Sequence, residues 1–157
     1  MKIFIVNGPN LNMLGIRERP FYGTGTYNDL LALIEGASKP LGITADCFQS
    51  NHEGKIVEAI QKAYGVYEAI IINAAAYTHT SVAILDALKA VALPTVEVHL
   101  TDINNREDFR KFSYVSLYAQ KVICGKGTDG YAEALKIWRI FKYLKLQLKY
   151  LADTVNL

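Results

Sequence analysis

A chain of 157 residues, 51% hydrophobic and 20% charged, suits one domain with a substantial core, spanning the whole of 1–157. A formal charge of +2 is too small to argue for nucleic acid, and no run of roughly 18 apolar residues is present to span a membrane. The two cysteines, Cys47 and Cys124, both fall within apolar runs. They read as buried thiols of a cytoplasmic protein, not as a disulfide or a zinc site. The start "MKIFIV" is too short an apolar run for a signal peptide.

In chain order, the first apolar run, "KIFIVN" (2–7), reads as a strand and leads into "NGPNLN". The segment "LGIRERPFYGTG" (14–25) has neither helical nor strand period and reads as a loop. Thr26 can cap a helix over about 27–39, which "KPLG" stops. A second strand is "ITADCF" (43–48), followed by a helix over about 54–64. The third strand, "AIIIN" (69–73), precedes a helix over about 80–91 that Thr80 or Ser81 can start. The fourth, "TVEVHL" (95–100), precedes a weaker helical pattern over 105–112. The fifth is "KVICG" (121–125), and a last helix runs from about 129 to 152. Three of the runs are almost continuously apolar, as in strands covered on both faces. Strands alternating with helices predict a parallel α/β sheet of five strands, flavodoxin-like, in the order 2-1-3-4-5.

In such a sheet, ligands bind at the carboxyl ends of the strands. The segments placed there are "NGPNLN", "NAAAYTHTS" and "HLTDINNREDFR", with the 14–25 loop beside them. They gather His79, His99, several asparagines, Arg106 and Arg110 on one edge, while the strands carrying them are apolar. That contrast points to an active site. A G-x-G-x-x-G or Walker loop is absent, as is a G-x-S-x-G elbow. "CGKGTDG" (124–130) only superficially resembles a phosphate loop, and the three histidines lack metal-ligand spacing.

What remains is acid–base chemistry on a small polyhydroxylated anion, with arginines for a carboxylate and asparagines and histidines for hydroxyls. A tyrosine serves as base only when ionised, and roughly one phenol in a thousand is ionised at pH 7. An adjacent arginine lowers such a value by roughly 1–3 units and cannot itself take the proton. Tyr22 lies close to Arg17 and Arg19. Taken singly, each residue has a plainer reading. Tyr22 can be one of ten tyrosines packing a loop, and Arg17 and Arg19 solvated charges. His99 can be a satisfied core histidine, Asn7 and Asn10 turn residues, and Glu97 an orienting partner for His99 or a mate for an arginine. Their convergence on one sheet edge favours the site.

The motifs "NGPNLNMLG" (7–15), "YG" (22–23), "FQSNHEG" (48–54), "AYTHTSVAI" (76–84), "PTVEVHL" (94–100) and "REDFRKFSYVS" (106–116) together resemble the type II 3-dehydroquinate dehydratases of the shikimate pathway, over residues 2 to about 140. The resemblance implies a cytoplasmic, cofactor-free lyase that removes water from 3-dehydroquinate through an enolate. Tyr22 matches the base, Arg17 the arginine that keeps it ionised, and Asn10 the residue that holds a water at the enolate oxygen. His99 matches the acid, with Glu97 its partner. Asn73, His79 and Arg110 match hydroxyl-binding groups, and Leu100 and Thr101 the carboxylate-binding pair. Arg106 adds positive field. Asp86 matches a residue that reaches a neighbouring subunit's site, which implies a homo-oligomer, usually a dodecamer built from trimers. The resemblance also makes 14–25 a lid.

Several positions depart from the family's pattern. Arg19 replaces a proline that is displaced to Pro20. Ala74 and Ala75 stand where proline or glycine is common, and Asp102 and Asn105 where Asn and Ala are frequent. "GKGTDGY" is more polar than usual. The C-terminal segment carries a heptad-like seam of Ile137, Phe141, Leu144, Leu148, Leu151 and Val155, with Lys136, Arg139, Lys142, Lys145 and Lys149 interleaved. It reads as a longer helix packed on its own domain or on a neighbouring subunit, with a membrane-surface helix the minor alternative. Two other classes stand against the enzyme: a flavodoxin-like module binding a small carboxylate or nucleotide without turnover, and a structural oligomer assembled through the tail.

Overall fold

A computed structural model describes residues 1–16 and 24–155. Its sheet has five parallel strands, β1 (Lys2–Asn7), β2 (Thr44–Gln49), β3 (Ala69–Asn73), β4 (Thr95–His99) and β5 (Lys121–Cys124), in the order β2-β1-β3-β4-β5. The helices are α1 (Tyr27–Ser38), α2 (Glu53–Lys62), α3 (Val82–Val91) and α4 (Asp129–Val155). The expected flavodoxin-like order is the one observed.

Strand alternation divides the core into two layers. Ile3, Ile5, Ile71, Val96 and Val98 face Leu30 and Ile34 of α1 and Tyr131, Leu135 and Trp138 of α4. Phe4, Val6, Ile70 and Ile72 face the other way, onto Ile56 and Ile60 of α2 and Ile84 and Leu88 of α3. Nearly all these residues are fully buried, each such burial favouring the fold by roughly 1.5–3 kcal/mol. A one-residue slip would exchange the two faces, so the register is strongly specified. It pairs Asn7 with Asn73, which sets the β1 and β3 loops side by side at the carboxyl edge.

The helix starts follow their local chemistry. Thr26 and Asp29 form a reciprocal capping box at α1, and the Ser81 hydroxyl accepts the Ile84 N–H at α3. Gly42, in the left-handed region, ends the turn after α1.

Two expectations are corrected. The segment 105–112 is not a helix. It forms two separate 3-10 turns, Ile103–Asn105 and Asp108–Arg110, with extended backbone at Arg106 and Glu107 between them. The reason is local competition. The Asp102 carboxylate accepts the Asn104 N–H and the side-chain amides of Asn104 and Asn105, drawing the backbone out of a helical path. The cysteines are not both buried: Cys47 is exposed and Cys124 half-buried, because each lies on an outer strand of the sheet.

α4 is longer than its neighbours and changes character along its length. Tyr131, Ala134, Leu135 and Trp138 are buried, whereas Phe141, Leu144 and Leu148 of the seam are half-exposed or more. These described apolar side chains of its distal half are therefore left largely uncovered by their own domain. The side chains of Leu151 and Val155 lie outside the described set. Among the described residues, no helix is long and apolar enough to cross a membrane.

Candidate active site

At the carboxyl edge, a cavity of about 130 Å³ is lined by residues from three loops, among them Asn10, Asn73, His79, His99, Leu100, Thr101, Arg106 and Arg110. Its size and polar lining suit a small hydrophilic molecule. Eight of the twelve expected site residues thus share one pocket. Glu97 stands directly behind it, bonded to His99. Asp86 is exposed on α3 and is not in this chain's pocket. Arg17 and Tyr22 lie outside the described residues.

The floor is built by close backbone approach. Gly8 donates its N–H to the Asn73 carbonyl at 2.8 Å, and a Cβ on Gly8 would stand 2.3 Å from the Ala74 carbonyl oxygen. Only glycine fits there. Asn10 follows in the left-handed region at φ 64°, which asparagine tolerates. Its N–H donates to Asn51 Oδ1 at 2.9 Å, and Gln49 Nε2 donates to the same oxygen at 3.1 Å. Ala75 also adopts positive φ, at 51°, a conformation that glycine takes without strain. The expected divergence at Ala75 therefore falls on a strained position.

His99 closes β4. Its Nε2 lies 2.7 Å from Glu97 Oε1, which leaves Nδ1 as the ring nitrogen available to the pocket. Glu97 is fully buried, yet its carboxyl is held below its ordinary value. Burial, the largest single influence, pushes it up. The hydrogen bond and charge of His99 and the hydroxyls of Ser116 and Thr78 together outweigh that.

His79 Nδ1 lies 2.8 Å from the Phe112 carbonyl oxygen. A carbonyl only accepts, so Nδ1 carries the proton and Nε2 of the neutral ring is an acceptor. Burial holds His79 below the usual histidine value, with the charges of His99 and Arg110 adding to it against the Phe112 carbonyl. The two pocket histidines are therefore differentiated, one backed by a carboxylate and one by a carbonyl.

Arg106 and Arg110 both approach Glu107 Oε2 through Nε, at 3.4 and 3.2 Å. Arg110 Nε is buried without a well-formed hydrogen bond, and its guanidinium lies 5.2 Å from the Phe109 ring centroid. The pair gives the cavity the positive field an anionic ligand needs.

"GKGTDG" has a structural role. The Gly125 and Gly127 amides donate to the His99 and Leu100 carbonyls at 3.2 and 2.9 Å, with both glycines at positive φ. Those amides are already engaged in holding the end of β4, which argues against a phosphate cradle. Sequence reasoning missed Thr78, Ser113 and Ser116, whose hydroxyls surround Glu97. It also missed Tyr131, buried on α4, which donates to Asn7 Oδ1 at 2.6 Å beneath the floor. A signal for the first group was present, since a carboxylate inside an apolar strand needs donors from elsewhere.

The family model for class II dehydroquinases matches residues 1–139. The 3-dehydroquinate dehydratase of Geotalea daltonii is 51% identical over 145 residues, 92% of this chain and 99% of that protein. A catabolic 3-dehydroquinase of Verticillium alfalfae is 49% identical over 86% of this chain and 90% of its own length. Among solved structures, the type II dehydroquinase from Butyrivibrio crossotus aligns with a TM-score of 0.85 at 45% identity, covering 87% of this chain and 96% of that one. With the sheet order, the pocket and this match in agreement, the chain belongs to the class II dehydroquinases.

Proposed function

We propose that this chain dehydrates 3-dehydroquinate to 3-dehydroshikimate through an enolate, with Tyr22 as base and His99 as acid. The observation that carries the reading is the buried Glu97–His99 pair opening onto a cavity that also holds His79, Asn73, Asn10 and two arginines. The Tyr22 phenolate, stabilised by Arg17, removes the proton alpha to the ketone. The electron pair moves onto the ketone oxygen, where a water held by Asn10 stabilises the enolate. Collapse of the enolate forms the ring double bond and expels the hydroxyl as His99 Nδ1 protonates it, so that water leaves. Tyr22 has then gained one proton and His99 has lost one, and exchange with solvent resets both. Asn73, neutral His79 and Arg110 hold the ring hydroxyls. Leu100 and Thr101 hold the carboxylate, with Arg106 supplying field. This route needs no cofactor or metal.

The test is the absorbance of the conjugated product near neutral pH with no metal or nucleotide added. Steady product formation is expected, and none at high enzyme concentration would leave a binding module as the better reading. Tyr22→Phe and Arg17→Ala should each lower kcat by roughly 10²–10⁴ with the fold intact. Normal turnover in Tyr22→Phe would remove the phenol from the mechanism.

We further infer a cytoplasmic homo-oligomer, a dodecamer of trimers with Asp86 serving a neighbouring pocket. The free thiols of Cys47 and Cys124 suit a reducing compartment, and exposed Asp86 is placed to reach outward. Solution mass, read in multiples of 17.5 kDa, tests the assembly.

A further inference from the structure

We propose that Thr78, Ser113 and Ser116 are positioning residues for the acid step, holding Glu97 as the carboxylate so that the proton it shares with His99 stays on the imidazole. The inference rests on His99 being the acid.

Three hydroxyls converge on one buried carboxylate. Thr78 Oγ1 donates to Glu97 Oε1 at 2.6 Å and Ser113 Oγ to the same oxygen at 2.7 Å. Ser116 Oγ donates to Oε2. Thr78 Oγ1 and Ser113 Oγ are themselves 2.6 Å apart. These two hydroxyls and Oε1 make a triangle with only two hydroxyl protons for its three sides. Each proton is thus confined among a few acceptors, and the carboxylate is the one member that only accepts. The Ser116 N–H donates to Ser113 Oγ at 3.1 Å, fixing that hydroxyl. The whole segment is clamped from the side, with the Tyr114 N–H on the Thr78 carbonyl at 2.8 Å and His79 Nδ1 on the Phe112 carbonyl.

The physical need is specific. In a dry site, a carboxylate beside an imidazolium tends to collapse into a neutral acid–imidazole pair, because burying two charges is costly. A neutral imidazole is a much weaker acid at Nδ1 than an imidazolium. Hydrogen bonds donated to the carboxylate oppose the collapse, and bonds to a charged group are the stronger kind. The low value of Glu97 despite full burial agrees with this direction. Among the described residues, the other titratable or charged groups facing the pair are His79, Arg106 and Arg110 around the pocket and Cys124, paired with His99 between β4 and β5. Asp102 adds its charge near Cys124. A change at Ser116 leaves all of them in place.

Ser116→Ala is the primary variant, because Ser116 is only half-buried and its removal leaves no large void. Expected is about a tenfold fall in the kcat plateau with KM within about twofold. The alkaline limb of the kcat profile should move to higher pH, since a carboxylate with fewer donors holds the shared proton more firmly. Ring-nitrogen NMR should show His99 shifting from imidazolium towards neutral imidazole below that limb. Thr78→Val should behave alike and Thr78→Ser should restore the parent profile; if Thr78→Val does not fold, Ser116→Ala and Thr78→Ser decide. A purely structural role would lower kcat equally at every pH with the limb unmoved, and that result overturns the proposal. So does a Ser116→Ala protein indistinguishable from the parent when His99→Ala is inactive. Full turnover in His99→Ala would instead overturn the assignment on which the proposal rests.

Discussion

Two regions of this molecule depart from the usual partition of polar outside and apolar inside, and they do so in opposite senses. Around the carboxyl ends of β3 and β4, polar groups are buried: Asn73, Thr78, Glu97, His99 and Ser113 are all 5% exposed or less. Along the distal half of α4, apolar groups are exposed: Ile140, Phe141, Tyr143, Leu144 and Leu148 are each at least 50% exposed. The first region meets its polar needs internally, through hydrogen bonds from its own neighbours. The second has no such cover among the described residues. A buried polar network is therefore sensitive to the loss of any member, while the distal helix should be indifferent to change in the isolated subunit.

The largest break in this contrast comes from chemistry. His99→Ala should lower kcat by roughly 10²–10⁴ with KM little altered, measured by product absorbance. Next comes packing on α4 itself. Trp138→Ala should cost about 3–5 kcal/mol in a denaturant titration, whereas Phe141→Ala, one turn on, should fall within about 0.5 kcal/mol. Equal costs would mean that the distal helix is covered. Glu97→Leu should cost about 2–4 kcal/mol, because Thr78, Ser113, Ser116 and His99 all lose their acceptor.

The pH dependence of stability has a definite sign. Glu97 sits below its ordinary value of 4.5 in the folded chain. Its contribution is complete above that value and is lost as pH falls through the lower folded one. Acid unfolding of Glu97→Gln, followed by circular dichroism, should be shallower than that of the parent. The smallest effect is a gain: Ala75→Gly, at φ 51°, should raise stability by up to about 1 kcal/mol, seen as a small rise in Tm.

The sheet was legible because its strands are short apolar runs separated by capping and turn residues, and such patterns depend on near neighbours. The same holds for the pocket's edge, since strand order alone brings the β1, β3 and β4 loops together. Residues 105–112 were misread because apolar spacing there competes with an Asp102 carboxylate that captures nearby amides, a contest periodicity does not register. Cys47 is exposed although its run is apolar, because the expected order 2-1-3-4-5 itself puts β2 at the edge of the sheet. That Glu97 needs donors is legible, but that Thr78, Ser113 and Ser116 supply them is not. Hydroxyl residues are common, and these three meet Glu97 only because the loop after β3 and the turns before β5 are folded against each other.

Trp138 is the chain's sole tryptophan, and it is 2% exposed where α4 leaves the sheet. Its indole stands 5.5 Å from the ring of Phe141, near the start of the exposed stripe. The molecule thus carries its own optical reporter at the boundary between the two regions. Emission excited in the tryptophan band should report the seating of α4 on the sheet, without any label, whereas the ten tyrosines are spread over α4 and the rest of the fold.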